Sequence, residues 1–461
     1  MELTIRRICE LTDGTLLEGD PDVIIRHVTY DSRDMQGDDL FVPLRGARVD
    51  AHNFIGNACE NGAVATLSER EDLRAGGRPV IHVTDSLTAL QQLGRYYRSL
   101  YRGRVVAVTG SVGKTTTREL TKAALSAGGS VAGSTKNLNS VIGMPVVLCH
   151  MDQTADRAVL EAGISEPDEM IPLADMIRPV TAIVTNIGVA HIEYLGSREG
   201  ICREKMHITD GLGTDGCAVL NGDEPLLRAY EGKLPCRVLY FGLGHDNDLY
   251  AEDIRESDTV SFTAVERLSD GSLHRFPVTL LIPGVHNVMN ALAALGAAKA
   301  EGIDLEAAAE AMGRYGGFSR RLERLSIGGL KLIDDSYNAS PPSMKAALGV
   351  LEKASGRKKI AVLADMLELG PDERQLHREV GEFAAHCDID SFITLGRLVS
   401  FLEEPLRAAG KPVFHADDWE TAEAEVVRQA EAGDVLLLKG SNIMNLDKLL
   451  EKLKNEKKFI D

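Results

Sequence analysis

Short apolar runs and helix-length segments alternate along most of this chain. From Arg104 onward, the runs RVVAVTG, RAVLEAG, TAIVTNIG and CAVLNGD are separated by segments long enough for a helix. The alternation returns in LKLIDDSY, KKIAVLAD, SFITLG and DVLLLKGS, and the chain closes on a charged helical segment, LDKLLEKLKNEKK. Strands that alternate with helices are typical of a mostly parallel sheet covered by helices. The pattern therefore predicts an α/β protein.

Two regions depart from this alternation. Before Arg104 the apolar runs are shorter, as in DVIIRHVTYDSR, DLFVPL, AVATLS and PVIHVTD, and a helical stretch, SLTALQQLGRYYRSLY, follows them. Between about residues 246 and 282, strand-like runs flank the turn residues Asp270 and Gly271, which predicts antiparallel hairpin structure. Alanine-rich helices are expected next, in HNVMNALAALGAAKAEG and DLEAAAEAMG.

Length and composition indicate a packed protein of several domains. The chain has 461 residues, 44% hydrophobic and 26% charged, which is too long for one ordinary core. Its net charge of −18 argues against a broad surface for nucleic acid or anionic membranes. No apolar run approaches the roughly 18 residues that cross a bilayer, and the first residues lack the apolar stretch of a secretion signal. We expect a cytoplasmic protein without membrane insertion, whose seven scattered cysteines are reduced.

The first candidate for chemistry is the stretch TGSVGKTTT, which follows the apolar run RVVAV. The common nucleotide loop has a glycine five residues before its Gly-Lys pair, but Val108 stands there in this chain. Glycines still let the backbone approach a phosphate, and the N–H groups at the start of a helix attract anions. Lys114 would neutralise the β- and γ-phosphates, and the Thr115 hydroxyl would reach Mg²⁺. The alternative is an ordinary glycine-rich turn with a surface lysine.

Two further candidates lie at or just after the ends of predicted strands, and a third lies in a predicted helix. Glu161 ends the run RAVLEAG, where a carboxylate would bind Mg²⁺ opposite Thr115. His191 follows AIVTNIGVAH, and Lys205 lies in a predicted helix that Ser197 opens. A strand-end acid on the surface, a structural histidine and a solvated helix lysine are the alternatives for these three residues.

Two polar segments occur later in the chain. Asn287 and Asn290 are three residues apart and therefore share one helix face, where paired amides would read an adenine edge. Capping of the helix by Asn287 is an equally good interpretation. The segment LIDDSYNASPPSM places two acids, one of them Asp335, at the end of a predicted strand, in another ligand-facing position.

Together these segments resemble the Mur ligase family, the ATP-dependent amide-forming enzymes of peptidoglycan synthesis. The resemblance spans nearly the whole chain and rests on nine segments in the family's order. They are TYDSR with DLFVPLRG, TGSVGKTTT, STKNLNSVIGMP, LEAGISEPDEM, TNIGVAHIEYLGSREGICREKMHI, PGVHNVMNALAA, DDSYNASPPSM, VLADMLELG and LLLKGSNIMNLD. Within the family, DDSYNASPPSM and ADMLELG are most similar to the ligase that joins D-alanyl-D-alanine to UDP-N-acetylmuramoyl-tripeptide.

The resemblance implies a fold of three domains and a monomer. Residues 1–100 would bind the UDP-sugar-peptide, and residues 101–313 would bind ATP with a mostly parallel sheet plus a small antiparallel sheet. Residues 314–461 would form a Rossmann-like domain that contacts ATP and the amino-acid substrate. Hinges near residues 100 and 314 are expected, because sites on separate domains must converge on one ATP. The products would be UDP-N-acetylmuramoyl-pentapeptide, ADP and phosphate, formed through an acyl phosphate.

The resemblance also implies roles for individual residues. The catalytic set would be Lys114, Glu161, His191 and Lys205. Two Mg²⁺ ions would be held, one by Thr115 and Glu161 and a second by His191 and an N-carboxylated Lys205. Contacts with ATP are expected from Gly110, Ser111, Val112, Gly113, Lys114, Thr115, Thr116, Asn287, Asn290, Arg321 and Asp335. The nucleotide-sugar-peptide would contact Ser32, Arg33, Asn137 and Asn139.

Some positions depart from the family pattern, and other functions compete. Both Arg320 and Arg321 are available for the expected arginine, and spacing favours Arg321. Asn442 stands where many relatives have arginine, and Asp168 stands where glycine is frequent. The competing functions are a non-catalytic nucleotide-dependent binding protein, a folylpolyglutamate-type ligase and the ligase that adds the third peptide residue. The third-residue ligase usually has an Asp-Asn-Pro-Arg-like motif, which this chain lacks.

Overall fold

The first hundred residues form a five-stranded sheet and a two-stranded ladder. The computed structural model describes residues 2–46, 49–134, 138–256, 259–318 and 320–456 of the chain. The elements of this first region are β1 (Leu3–Thr4), α1 (Ile5–Thr12), β2 (Thr15–Glu18), β3 (Ile24–Ile25), β4 (His27–Thr29), β5 (Asp39–Phe41), α2 (Ile55–Glu60), β6 (Ala63–Ser68), β7 (Val80–His82) and α3 (Ser86–Leu100). The sheet order is β2-β7-β6-β5-β4, in which only β2 runs antiparallel to its neighbour, and β1 pairs with β3.

A nine-stranded sheet forms the central region. Its elements are β8 (Arg104–Thr109), α4 (Lys114–Leu125), β9 (Val131–Gly133), α5 (Gly143–His150), β10 (Arg157–Glu161), α6 (Met170–Ile177), β11 (Thr181–Val184), α7 (Ile192–Leu195), α8 (Arg198–Met206), β12 (Cys217–Asn221), α9 (Pro225–Arg228), β13 (Arg237–Gly242), β14 (Leu249–Glu256), β15 (Val260–Arg267), β16 (Leu273–Leu280), α10 (His286–Ala300) and α11 (Leu305–Met312). The strand order is β16-β15-β14-β13-β12-β11-β8-β10-β9.

The antiparallel hairpin expected around Asp270 and Gly271 is present, but it belongs to the same sheet as the parallel strands. β13 pairs in parallel with β14, and β14, β15 and β16 then continue the sheet in antiparallel order. Phe262 and Phe276 on these strands are buried in the same apolar core as Val106 and Val108 of β8. One continuous core therefore joins the hairpin to the parallel strands, so the expected separate sheet does not form.

A six-stranded sheet forms the C-terminal region. Its elements are β17 (Glu323–Ile327), β18 (Leu330–Asp335), α12 (Pro341–Lys353), β19 (Lys359–Ala364), α13 (Glu373–His386), β20 (Ser391–Leu395), α14 (Ser400–Ala408), β21 (Val413–Ala416), α15 (Trp419–Gln429), β22 (Val435–Lys439) and α16 (Leu446–Asn455). The order is β17-β18-β22-β19-β20-β21, with only β17 antiparallel. Short 3₁₀ turns lie at Ala51–Phe54, Ser126–Gly128, His207–Thr209, Gly370–Asp372 and Asn442–Met444.

Strand order brings the polar strand ends together. β8 lies between β10 and β11, so the loops that follow these three parallel strands leave the same edge of the sheet. In the C-terminal region β18 pairs with β22, and Asp335 lies opposite Lys439 in the register. These two edges supply the candidate site.

The predicted α/β class is confirmed. The predicted helices α3, α8, α10 and α11 are present, and so are the strands predicted from the apolar runs between RVVAVTG and DVLLLKGS. Ser197 caps α8, since its hydroxyl accepts the N–H of Gly200 at 3.1 Å. The short strands β9 and β21 were not predicted, because neither has a long apolar run. No helix in the described part of the chain is long and apolar enough to cross a bilayer.

Candidate active site

The loop between β8 and α4 requires glycine at two positions. Gly110 has a φ of 146° and Gly113 a φ of 81°, a region that side chains disfavour. A Cβ atom on Gly110 would lie 1.9 Å from Thr185 Oγ1, and one on Gly113 would lie 2.5 Å from Asn290 Oδ1. No side chain caps the start of α4. Its first N–H groups are therefore left to bind an anion.

Lys114 and Asn186 both form hydrogen bonds with the backbone of this loop. The Lys114 ammonium donates to the carbonyl oxygens of Gly110 at 2.8 Å and Ser111 at 3.3 Å. Burial lowers the pKa of Lys114, although Glu161 nearby opposes the shift. Asn186 follows β11; its side-chain oxygen accepts the Val112 N–H at 3.0 Å and its amide donates to the Val112 carbonyl at 2.9 Å. These hydrogen bonds fix the shape of the loop, and they hold the Lys114 ammonium against its carbonyl oxygens.

Glu161 lies at the centre of a buried network at the end of β10. Its Oε2 atom accepts the Thr115 hydroxyl at 2.8 Å and Arg118 Nη1 at 3.2 Å, and its Oε1 atom accepts Asn139 Nδ2 at 2.8 Å. The side chains of Glu161 and Arg118 are each only 1% exposed. Glu161 is therefore not an ordinary surface acid, because three protein groups orient its carboxylate toward the loop.

His191 and Lys205 both lie close to Lys114. Burial, with Lys114 and Lys205 nearby, lowers the pKa of His191 to about 4. Its Nδ1 atom lies 3.2 Å from Glu368 Oε2, across the boundary with the C-terminal region. Lys205 is 1% exposed, and burial together with Lys114 lowers its pKa well below the usual lysine value. A solvated helix lysine is therefore the wrong interpretation of Lys205.

Asn287 and Asn290 form a chain of amides beside the loop. Asn290 Nδ2 donates to Asn287 Oδ1 at 2.9 Å, and Asn287 Nδ2 donates to the Pro283 carbonyl at 2.6 Å. Helix capping by Asn287 is contradicted, because α10 begins at His286 and has no side-chain cap. A side cavity of about 160 Å³ lies against Asn290 and also contacts Val112, Gly113, Thr185, Asn186, Asn221, His286 and Met289.

The C-terminal region contributes charged side chains to the opposite wall. Lys439 is 2% exposed and pairs with Asp335 Oδ2 at 2.6 Å. The Arg321 guanidinium lies 4.2 Å from the centre of the Tyr337 ring. Arg320 instead donates to Asn442 Oδ1 at 3.2 Å and to the Ser336 carbonyl at 2.9 Å. Arg321, and not Arg320, lines the cavity between the regions.

This cavity has a volume of about 590 Å³ and brings most of the predicted residues together. The predicted residues on its wall are Ser111, Val112, Gly113, Lys114, Thr115, Thr116, Asn139, Glu161, His191, Asn287, Asn290, Arg321 and Asp335. Gly110 and Lys205 are not among its lining residues.

Two of the predicted substrate contacts, Ser32 and Arg33, are not among the residues that line this cavity. Ser32 and Arg33 lie in the N-terminal region, where Arg33 is 86% exposed and pairs with Asp31. The Ser32 carbonyl accepts Asn61 Nδ2 at 2.9 Å. Asn137 lies outside the described residues.

The chain is similar to known proteins over most of its length. Three domain models cover most of the chain: the Mur ligase family catalytic domain over residues 24–98, the Mur ligase middle domain over 108–298 and the Mur ligase glutamate ligase domain over 320–442. The UDP-N-acetylmuramoyl-tripeptide–D-alanyl-D-alanine ligase of Bacillus subtilis (strain 168) is 38% identical over 459 residues, which cover 98% of both chains. The chain belongs to the Mur ligase family.

Other members of the Mur ligase family match it over similar lengths. The enzyme of the same name from Escherichia coli (strain K12) is 33% identical over 86% of each chain. A crystal structure of MurF from Acinetobacter baumannii has a TM-score of 0.88 at 29% identity and covers 99% of both chains. MurF from Thermotoga maritima in complex with ADP has a TM-score of 0.79 at 27% identity, covering 94% of this chain and 97% of that one.

Three residues of this Mur ligase site were missed by the sequence predictions. Arg118 lies in the run TTTREL, where nothing distinguishes a buried arginine from a solvated one. Asn186 and Lys439 could have been predicted as site residues, since each lies at or just after the carboxyl end of a parallel strand. The rule that selected Glu161 and His191 would have selected both of them.

Proposed function

We propose that this Mur ligase joins D-alanyl-D-alanine to UDP-N-acetylmuramoyl-tripeptide with the cleavage of ATP to ADP and phosphate. The relatives from B. subtilis and E. coli are named for this reaction, and the T. maritima structure holds ADP. The cavity carries the proposal, because it places the phosphate loop, Glu161 and His191 opposite Arg321 and Asp335. A site divided between two regions suits a reaction that must assemble three substrates.

The reaction joins two anions before it forms the amide. A carboxylate oxygen of the tripeptide attacks the γ-phosphorus of ATP, and ADP leaves with the electrons of the broken P–O bond. The amine of the dipeptide then attacks the acyl carbon, and phosphate leaves the tetrahedral intermediate. Lys114 and the N–H groups at the start of α4 lie where they would offset the charge on the phosphates. In the structure described, Lys114 donates to loop carbonyls, and a γ-phosphate would replace them as its partner.

The residues at the loop fit Mg²⁺. The oxygens of Thr115 and Glu161 converge at 2.8 Å, and Mg²⁺ prefers a few protein oxygens together with phosphate and water. The described residues include no group of three His, Cys, Asp or Glu side chains suited to a metal, so phosphates and water would supply the other ligands. Bound there, the ion would withdraw charge from the γ-phosphate during attack. A second ion would be held by His191 and a modified Lys205.

Lys205 is suited to N-carboxylation. Carbon dioxide adds to a neutral amine with loss of one proton, and the lowered pKa of Lys205 favours the neutral amine. In the described structure its ammonium makes no hydrogen bond or ion pair. Enzyme equilibrated with ¹³C-labelled bicarbonate should show a carbamate carbonyl signal by NMR that Lys205→Met lacks. A signal of equal size in both proteins would contradict the modification.

The remaining predicted contacts complete the proposal. Asn287 and Asn290 would face the adenine, while Arg321 and Asp335 would reach ATP from the C-terminal region. Asn139, which already orients Glu161, would lie near the sugar-peptide. Ser32 and Arg33 would bind the uridine end, and the same role is proposed for their region as a whole, residues 1–100. The division at residues 100 and 313, the cytoplasmic location and the monomeric state remain predictions.

The function is tested by the dependence of phosphate release on each substrate. With ATP and Mg²⁺ present, we expect release to require both UDP-N-acetylmuramoyl-tripeptide and D-alanyl-D-alanine, and the nucleotide product to have the mass of the pentapeptide. Release that is supported by a single amino acid but not by the dipeptide would overturn the proposal and favour the ligase for the third residue.

A further inference from the structure

Glu368 occupies an unusual position on the C-terminal wall of the cavity. It lies between β19 and α13, its side chain is 60% exposed, and it lines the cavity beside Leu367 and Leu369. Its φ is 61°, a conformation that residues other than glycine rarely adopt. Backbone strain of this kind persists only where the surroundings enforce it.

The three residues that precede Glu368 are anchored to neighbouring segments by hydrogen bonds. The Asp365 carboxylate accepts the N–H groups of Arg397, Leu398 and Val399 at 2.9–3.0 Å. The next two residues donate their N–H groups, Met366 to His377 Nε2 at 3.0 Å and Leu367 to Ser441 Oγ at 3.0 Å. Glu368 is thus presented to the cavity by a fixed backbone.

Glu368 also differs from the other carboxylates that line the cavity. Glu161 accepts three hydrogen bonds, Glu169 accepts the N–H groups of Ser165 and Glu166, and Asp335 pairs with Lys439. Glu368 accepts no hydrogen bond from the described residues. It approaches His191 Nδ1 at 3.2 Å, but the geometry is not that of a hydrogen bond. Its oxygens are therefore available to a ligand.

A cationic group is the ligand that this carboxylate fits. The walls of the cavity carry Lys114, Arg321 and Lys439, all positively charged groups that would repel an ammonium ion. A free α-amino group has a pKa of about 8 and therefore arrives mostly protonated at neutral pH. Glu368 is the available negative charge, and it faces His191 on the side of the phosphate loop.

We propose that Glu368 binds the ammonium group of the incoming dipeptide and so selects an amine with a free N-terminus. This inference rests on the proposed function. Small apolar side chains on the same wall, Ala339, Ala346 and Ala347, suit the methyl groups of an alanine-containing substrate. Glu368 is thereby assigned to recognition of the nucleophile, separately from the residues that hold ATP.

The test compares Glu368→Gln with Glu193→Gln, which removes the same charge from the neighbouring α7 at an exposed position outside the cavity lining. For Glu368→Gln we expect the KM for D-alanyl-D-alanine to rise about tenfold or more, because hydrogen bonds between charged groups are among the strongest. The KM for ATP should stay unchanged, and Glu193→Gln should match the wild type. Glu368→Asp should recover part of the loss, since it keeps the charge.

A second probe separates recognition from packing. N-acetyl-D-alanyl-D-alanine has no ammonium group, so its inhibition constant should be the same for the wild type and Glu368→Gln. A KM for the dipeptide that is unchanged in Glu368→Gln would overturn the inference, and so would a parallel rise in the KM for ATP, which indicates a structural contact between the regions. If the wild type itself forms no pentapeptide, it is the proposed function that fails.

Discussion

The central region meets its two neighbours through very different interfaces. On the N-terminal side, α3 packs against α5, and Leu93 and Val146 are buried in one shared apolar core. The contact is close enough that a Cβ atom on Gly94 would lie 2.8 Å from Pro145 Cα. Arg98 adds hydrogen bonds to two carbonyl oxygens at the end of α6, at 2.6 and 2.8 Å.

On the C-terminal side the interface surrounds the 590 Å³ cavity and its contacts are polar. They include the ion pair of Lys353 with Glu256, the approach of Glu368 to His191, and Arg118 stacked 5.6 Å from the Phe318 ring. The first interface is stabilised mainly by apolar burial, whereas the second leaves room for ligands between its charges. Of the two expected hinges, the packing therefore favours the one near residue 314 and argues against the one near residue 100.

The largest effect should follow from removing the cation of the phosphate loop. Lys114→Ala should lower kcat by about a thousandfold, because it deletes the charge that we propose offsets the reacting phosphate, and the variant should still fold. Lys122→Ala, on the same helix but paired with Glu119 and outside the cavity lining, should retain full activity. Equal losses in the two variants, measured by phosphate release, would show that the loop is misassigned.

Breaking the buried pair beneath the cavity should destabilise the fold. Arg118→Met leaves the Glu161 charge without its cation at a position that is 1% exposed, and should reduce the free energy of unfolding by about 3 kcal/mol. The double variant with Glu161→Gln removes the unpaired charge and should recover part of this loss in urea denaturation. A double variant as unstable as Arg118→Met would contradict the explanation.

The apolar interface is tested by adding one methyl group. Gly94→Ala would push a Cβ atom into the Pro145 backbone and should cost about 2 kcal/mol of stability, while kcat is retained at low temperature. Gly349 lies in α12, and a Cβ atom added there would meet nothing within 4 Å, so Gly349→Ala should stabilise by about 0.5–1 kcal/mol. Thermal melts that shift in the same direction for both variants would refute the difference between the two sites.

The smallest effect concerns pH. Because the folded pKa of His191 is about 4 and the unfolded value is near 6.5, the unfolded chain binds a proton first as the pH falls. The contribution of His191 to the free energy of unfolding should therefore fall as the pH drops below 6.5. It should reach its limit near pH 4. Between pH 7 and pH 5.5 the loss should be about 1 kcal/mol. In His191→Asn, urea titrations at the two pH values should give a smaller difference in the free energy of unfolding.

The sequence predicts the central site better than the C-terminal wall. β8, β10 and β11 are long apolar runs, and ligand-binding residues lie at the carboxyl ends of strands in such sheets, so the sequence indicates the loop, Glu161 and His191 as site residues. The pairing of Asp335 with Lys439 joins strands about a hundred residues apart, and only the register of β18 with β22 reveals it. Burial of Arg118 likewise depends on Phe318 and Glu161, which are distant in the chain.

That the cavity brings a peptide carboxylate to the γ-phosphate of ATP is the main proposal for this protein. It is tested most directly with UDP-N-acetylmuramoyl-tripeptide whose reacting carboxylate is labelled with ¹⁸O, incubated with ATP, Mg²⁺ and D-alanyl-D-alanine. An acyl phosphate requires one labelled oxygen to leave in the inorganic phosphate, and mass spectrometry should find it there. Pentapeptide formation with no ¹⁸O in the phosphate would rule out the acyl phosphate.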